Sequence, residues 1–205
     1  QPWQPAPECG AGPEFGGFFK LSPVKRSRYE EDQKVYNYFF KHRLKVPGTY
    51  VELGAFDGQK ESNSRFFDLC LGWKGLLIEG NPESFQKVLR NRPQTHRMSF
   101  APSCSAEYEA VNKTVQFAEY PMANSGLKGR AKTYDLKPMV DVPCGPLGPV
   151  LGDIFEGEHI NFFSLDVEGA GPLVLETIDF DKIRIDVLMV EVQNNFCGAK
   201  SECKT

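Results

Sequence analysis

Two short apolar runs in this 205-residue chain each end in a carboxylate beside a glycine turn. The first, Thr49 to Leu53, carries Glu52 and runs into Gly54-Ala55-Phe56-Asp57-Gly58. The second, Leu76 to Ile78, runs into Glu79-Gly80-Asn81-Pro82. Glycines let a backbone come close to a ligand because no Cβ stands in the way. A carboxylate at the exit of the following strand can accept from vicinal ribose hydroxyls. The order therefore suits a nucleoside cofactor held in a βαβ unit, with a ligand-free strand-to-helix turn as the plain alternative for the first motif alone.

The charges narrow the cofactor. Glu52 or Asp57 is placed to receive an ammonium group, and the turn amides to meet a carboxylate. The same acidic turn would repel a pyrophosphate, which favours S-adenosylmethionine over a dinucleotide. No Gly-x4-Gly-Lys-Ser/Thr sequence offers a triphosphate site. A third acidic turn, Asp166-Val167-Glu168-Gly169, follows the apolar run from Asn161. Asp166 is a candidate base or acceptor-orienting group and Glu168 a candidate loop or cofactor ligand, with structural turn roles as the alternative. His159, just ahead of that run, is a second candidate base. His42 reads as a packing residue on a helical stripe and His96 as a loop residue. Asp135, Asp141 and Asp153 read as loop carboxylates, so no metal is expected.

The segments VELGAFDG, GWKGLLIEGNP and FFSLDVEGA, followed by IDVLMVEV, resemble the FkbM family of S-adenosylmethionine-dependent methyltransferases, especially its eukaryotic luminal or extracellular relatives. The resemblance runs from roughly Ser27 to Val192. It implies an α/β, class I methyltransferase-like Rossmann fold with an open, mostly parallel sheet, in which the usual two C-terminal strands could be lacking. It also implies O-methylation of a hydroxyl on a small molecule or glycan. Glu52, Gly54, Ala55, Asp57 and Gly58 fall in the first cofactor motif, Glu79 at the ribose position with Asn81 beside it, and Asp166, Glu168 and Gly169 at the methyl-transfer end. This chain departs from the family pattern at Gly171-Pro172 and at Ala101-Pro102-Ser103-Cys104, where an acidic residue is common. Those departures keep open a catalytically impaired relative acting as a secreted or luminal binding module, with a protein partner.

The elements that must position these groups follow from pattern. Residues 1–26, rich in Pro, Gly and aromatics, read as an arm lying over a methyltransferase-like domain of residues 27–205, with Cys9 as a tether. Val35, Tyr38, Phe39 and His42 give a helical stripe ended by Pro47-Gly48. A helix starting near Ser62 or Asn63 follows the first strand. Asn81 caps the next helix, with Pro82 in its first turn. Extended segments lie near 97–101 and 115–117, and residues 121–151 read mostly as a long surface excursion over the site. A short helix over 173–178 and a strand over 183–192 complete a βαβ alternation.

A formal net charge of -3 with interspersed signs gives no basic field for nucleic acid or anionic membranes. The run Lys25 to Arg28 is offset by Glu30, Glu31 and Asp32. No apolar run is long enough to span a bilayer. The six cysteines lack zinc-knuckle spacing. Their even number, with the Asn112-Lys113-Thr114 sequon, points to the secretory lumen or the extracellular space. Cys104 with Cys144, then Cys197 with Cys203, are the first pairs to test as disulfides.

Overall fold

The computed structural model describes residues 3–11, 14–43, 47–104, 114–120, 125–128, 138–157 and 159–192. Its strands, numbered in chain order, are β1 (Thr49–Leu53), β2 (Lys74–Glu79), β3 (His96–Ser99), β4 (Thr114–Ala118), β5 (Met139–Pro143), β6 (Ile160–Leu165) and β7 (Ile185–Val190). Five of them form a parallel sheet in the order β3-β2-β1-β6-β7, and β4 pairs with β5 as an antiparallel ribbon. The strand order reverses between β1 and β6. The crevice outside their carboxyl ends is therefore the switch point, where open α/β sheets bind ligands.

The two-residue period of each strand decides what lies on each face. Val51, Leu53, Leu76, Ile78 and Phe163 pack against Leu147, Leu151 and Phe155 of α4 (Leu147–Phe155). Tyr50, Leu77 and Phe162 face the other way, under Phe66 and Phe67 of α2 (Arg65–Leu71). Cover on both faces explains why these strands lack polar alternation. Glu52 shares the Tyr50 face and so points toward the start of α2 rather than along the sheet edge. Among the described residues no strand lies beyond β7, and no helix is long and apolar enough to cross a membrane.

α3 (Pro82–Asn91) begins as expected: the Asn81 side chain accepts from the Ser84 amide at 2.9 Å, with Pro82 at the first position. The helical stripe ahead of β1 is corrected. After α1 (Glu31–Val35) the chain widens to π winding over Tyr36–Phe40, where the Lys41 amide reaches the Tyr36 carbonyl at 2.8 Å. The wider turn rotates Phe40 into the core and leaves Tyr38 76% exposed, with His42 also exposed rather than packed. The expected surface excursion is corrected in its second half. Residues 138–151 supply β5 and the first turn and a half of α4, and Leu147 and Leu151 are buried.

At the amino end, Phe15, Phe18 and Phe19 gather around Phe66, and a disulfide joins Cys9 to Cys70 of α2. A second disulfide joins Cys104 to Cys144. Asn112, Asp135, Cys197 and Cys203 lie outside the described residues.

Candidate functional site

A cleft opens at the carboxyl ends of β1, β2 and β6. Gly54, Glu79 and Asp166 line it from three strand exits, and Phe100, Phe117 and Leu127 give it an apolar wall. Parallel strands bring these exits together although they are far apart in sequence: Leu53 pairs with Ile78 on one side and with Leu165 on the other.

Glu79 ties the first glycine turn to the second strand. One carboxylate oxygen accepts from the Phe56 amide and the other from the Asn81 amide, each at 2.7 Å. Burial pushes its pKa up to about 7, against the pull of the Asn81, Phe56 and Gly80 amides. Phe56 sits at φ 50°, a strained conformation that the Glu79 bond helps to hold.

The glycine turn folds in on itself more than its sequence suggests. The Gly54 and Ala55 amides both donate to the Ile78 carbonyl, at 3.0 and 3.1 Å, and the Gly58 amide donates to the Ala55 carbonyl at 2.7 Å. Asp57 accepts from the Gln59 and Lys60 amides, at 2.8 and 2.7 Å, as an Asx turn. The donors expected to face a cofactor carboxylate are thus largely used within the protein. Gly54 borders the cleft, whereas Ala55 is buried in the α2-side core and Gly58 packs on α3, where a Cβ would lie 3.0 Å from the Arg92 Cγ.

Glu52, a candidate for the cofactor ammonium, has its carboxylate engaged within the protein. Its carboxylate accepts from the Ser62 and Ser64 hydroxyls, at 2.7 and 2.6 Å, and from the Asn63 amide at 2.7 Å. Burial raises its pKa despite nearby Arg92 and these bonds. Arg92 completes the support: it is buried and donates to Asp68 at 2.6 Å, the Tyr50 hydroxyl at 2.6 Å and the Gly58 carbonyl at 3.1 Å. Asn81 is a support too. Besides capping α3 it donates to the Ala118 and Glu119 carbonyls, both at 2.9 Å, and so holds the β4–β5 ribbon with Phe117 over the cleft.

Asp166, Glu168 and Glu191 bring one carboxylate oxygen each within 4.8 Å of one another. Asp166 is open to solvent on one side, yet the protein packed around it raises its pKa. The Glu191 carboxylate hydrogen-bonded to it adds to the rise, and Glu168 adds less. Such a trio is suited to sharing a proton or holding a hard cation. Glu168, at φ 50°, and Gly169, at φ 86°, form the turn that bends the chain away after β6. Neither borders the cleft shared by Gly54 and Glu79.

His159 lies at the opposite end of β6 from Asp166. Its carbonyl accepts from the Thr49 hydroxyl at 2.6 Å, its Nε2 lies 3.2 Å from Asp186, and both neighbours stand at strand starts. Six residues of β6 separate that end from Asp166, about 20 Å at about 3.3 Å per residue. His96, Asp141 and Asp153 are exposed and outside the cleft.

Sequence reasoning missed Glu191 and the apolar wall. Glu191 had a readable signal, since LMVEV places a carboxylate at the exit of an apolar strand as GLLIEG does. Phe117 and Leu127 had none, because they reach the cleft only through the pairing of the ribbon. A family model described as the methyltransferase FkbM domain matches residues 52–201. No curated protein and no solved structure matches the chain.

Proposed function

The chain belongs to the FkbM methyltransferase family, and on that premise we propose that it binds S-adenosylmethionine in the cleft between β1, β2 and β6 and methylates a hydroxyl of a small molecule or glycan. The observation that carries this reading is the donor set of the cleft. It has a carboxylate for ribose hydroxyls in Glu79, an apolar wall for a base in Phe100, Phe117 and Leu127, and a carboxylate for positive charge in Asp166. When bound, the cofactor supplies an electrophilic methyl on a positively charged sulfur.

The chain's own residues do the rest. Glu79 accepts the ribose hydroxyls and, through Phe56, fixes the glycine turn. Asp166 accepts the proton of the acceptor hydroxyl, and its raised pKa suits a base working near neutral pH. Glu191, hydrogen-bonded to Asp166, holds that carboxylate at the β6 exit.

The disulfides Cys9–Cys70 and Cys104–Cys144 are compatible with a secreted or luminal location. In that compartment Asn112 is a glycan acceptor site. A second reading, a family member that binds without transferring, is favoured by one feature: the amides of Gly54, Ala55 and Gly58 are already used internally. Calorimetric titration with S-adenosylmethionine and S-adenosylhomocysteine separates the two when paired with a label-transfer assay. Binding that is lost in Glu79→Ala supports the cofactor site. Binding without transfer to any hydroxyl acceptor supports the binding module, and a folded protein that binds neither ligand defeats the cofactor assignment.

A further inference from the structure

Transfer of a methyl group requires the acceptor oxygen to approach from a space that meets the cofactor cleft without occupying it. A second cleft lies on the α2 side of the sheet, over the exits of β6 and β7, and Asp166 is the one described residue lining both. Another neighbouring cleft meets the cofactor cleft only at Ser103 and Leu127, on the apolar wall and away from Asp166. The α2-side cleft is walled by Tyr29 ahead of α1, by Lys60, Glu61 and Asn63 ahead of α2, and by Glu168 and Glu191 at the strand exits.

Resting on the methyltransferase reading above, we propose that this second cleft receives the acceptor, and that it selects a neutral or amino-bearing polyhydroxylated molecule, such as a sugar, over a phosphorylated, sulfated or carboxylated one. Charge decides the class. Glu31, Glu61, Asp166, Glu168 and Glu191 face it, against Arg28 and Lys60. The two cations are partly engaged: Arg28 lies 3.8 Å from Glu61, and the Lys60 ammonium sits 5.8 Å from the centre of the Phe56 ring. An anionic acceptor would meet like charge at the reacting end, where Asp166 and Glu191 stand. Carboxylates accept sugar hydroxyls, and Tyr29, 64% exposed with the Arg28 guanidinium 5.3 Å from its ring centre, brings an aromatic ring for a sugar face to stack on.

The test uses the full chain loaded with S-adenosylhomocysteine on an array of neutral, amino-bearing, sulfated, phosphorylated and carboxylated glycans. Wild type, Tyr29→Ala and Glu61→Lys are compared, and S-adenosylhomocysteine affinity is measured for each by calorimetry. The expected result is retention of neutral or amino-bearing glycans at least about tenfold above their anionic counterparts. Glu61→Lys narrows that gap, Tyr29→Ala weakens retention severalfold, and cofactor-ligand affinity is unchanged in both. Equal or stronger retention of anionic glycans, no effect of Tyr29→Ala, or no retention of any neutral or amino-bearing glycan overturns the proposal. Failure of the wild-type chain to bind S-adenosylhomocysteine is a different result, because it removes the methyltransferase reading and this proposal with it.

Discussion

Gly54 and Asp166 touch where the sheet changes direction: a Cβ on residue 54 would lie 1.7 Å from the Asp166 carbonyl oxygen. The Asp166 amide in turn donates to the Leu53 carbonyl at 3.0 Å, so the exits of β1 and β6 are locked backbone to backbone. This contact sets the distance between the glycine turn and the Asp166 carboxylate. It also requires glycine twice over, because residue 54 has φ 88°.

Gly54→Ala is therefore expected to push the Asp166 turn away. Left-handed strain alone costs about 1–3 kcal/mol, and the clash adds to it. The melting temperature falls, and S-adenosylhomocysteine affinity drops at least about tenfold even in the fraction that stays folded. Thermal unfolding together with calorimetry checks both, and unchanged affinity would show that the β1–β6 contact does not shape the cofactor cleft.

Glu79 makes stability and binding respond to pH in opposite directions. Its folded pKa of about 7 lies above the ordinary 4.5, so its contribution to stability is full below pH 4.5 and is lost as the pH rises through about 7. Accepting ribose hydroxyls strongly needs the charged form, so cofactor affinity strengthens over the same range. Between pH 5.5 and 8.5 the free protein should melt lower while S-adenosylhomocysteine binds more tightly, with proton release on binding. Glu79→Gln should flatten the part of both trends that belongs to this residue, leaving the share of Asp166, which is shifted in the same direction. Titrations in buffers of different ionisation enthalpy measure the proton count, and a pH-independent affinity in the wild type would rule out Glu79 as the ribose carboxylate.

His159→Ala is expected to leave methyl transfer, its pH profile and cofactor affinity unchanged, with a stability loss on the order of 1 kcal/mol from the lost Asp186 contact. A fall in turnover with folding intact would return His159 to the reacting end and contradict the placement of β6.

The central strands β1, β2 and β6 were legible because they are mostly apolar and each runs into an acidic, glycine-containing turn. The α3 start was legible because Asn81-Pro82 is a local signal. Asp166 and Glu79 could be placed at strand exits for the same reason. What could not be read depends on contacts between distant segments. The face on which Glu52 lies follows from the register of β1, and its partners Ser62, Asn63 and Ser64 gather only when α2 packs. His159 precedes the same strand that Asp166 follows, so proximity in sequence hid a separation of a whole strand length. The helix ahead of β1 was misread because a single π turn shifts the inward position from Phe39 to Phe40.

The two disulfides close chain segments of 61 and 40 residues, and each should stabilise the fold by about 4 kcal/mol in the loop-entropy picture. Their effects on the cleft should differ. Cys9–Cys70 fastens the amino-terminal arm to α2, on the face of the sheet away from Phe100 and Phe117. Cys104–Cys144 lies beside the cleft wall. The Ala101 amide donates to the Pro143 carbonyl at 2.9 Å, Ala101 bridges to Cys144, and Ala101, Pro102 and Ser103 all line the cleft. The Cys104→Ser/Cys144→Ser double variant should therefore lose cofactor affinity as well as stability, because the ribbon that carries Phe117 loses its covalent tie to the β3 exit. The Cys9→Ser/Cys70→Ser variant should lose comparable stability while the remaining folded protein binds the cofactor as before. Urea unfolding and calorimetry on both variants make the comparison, and equal affinities in the two would show that the Cys104–Cys144 bond is a fold staple alone.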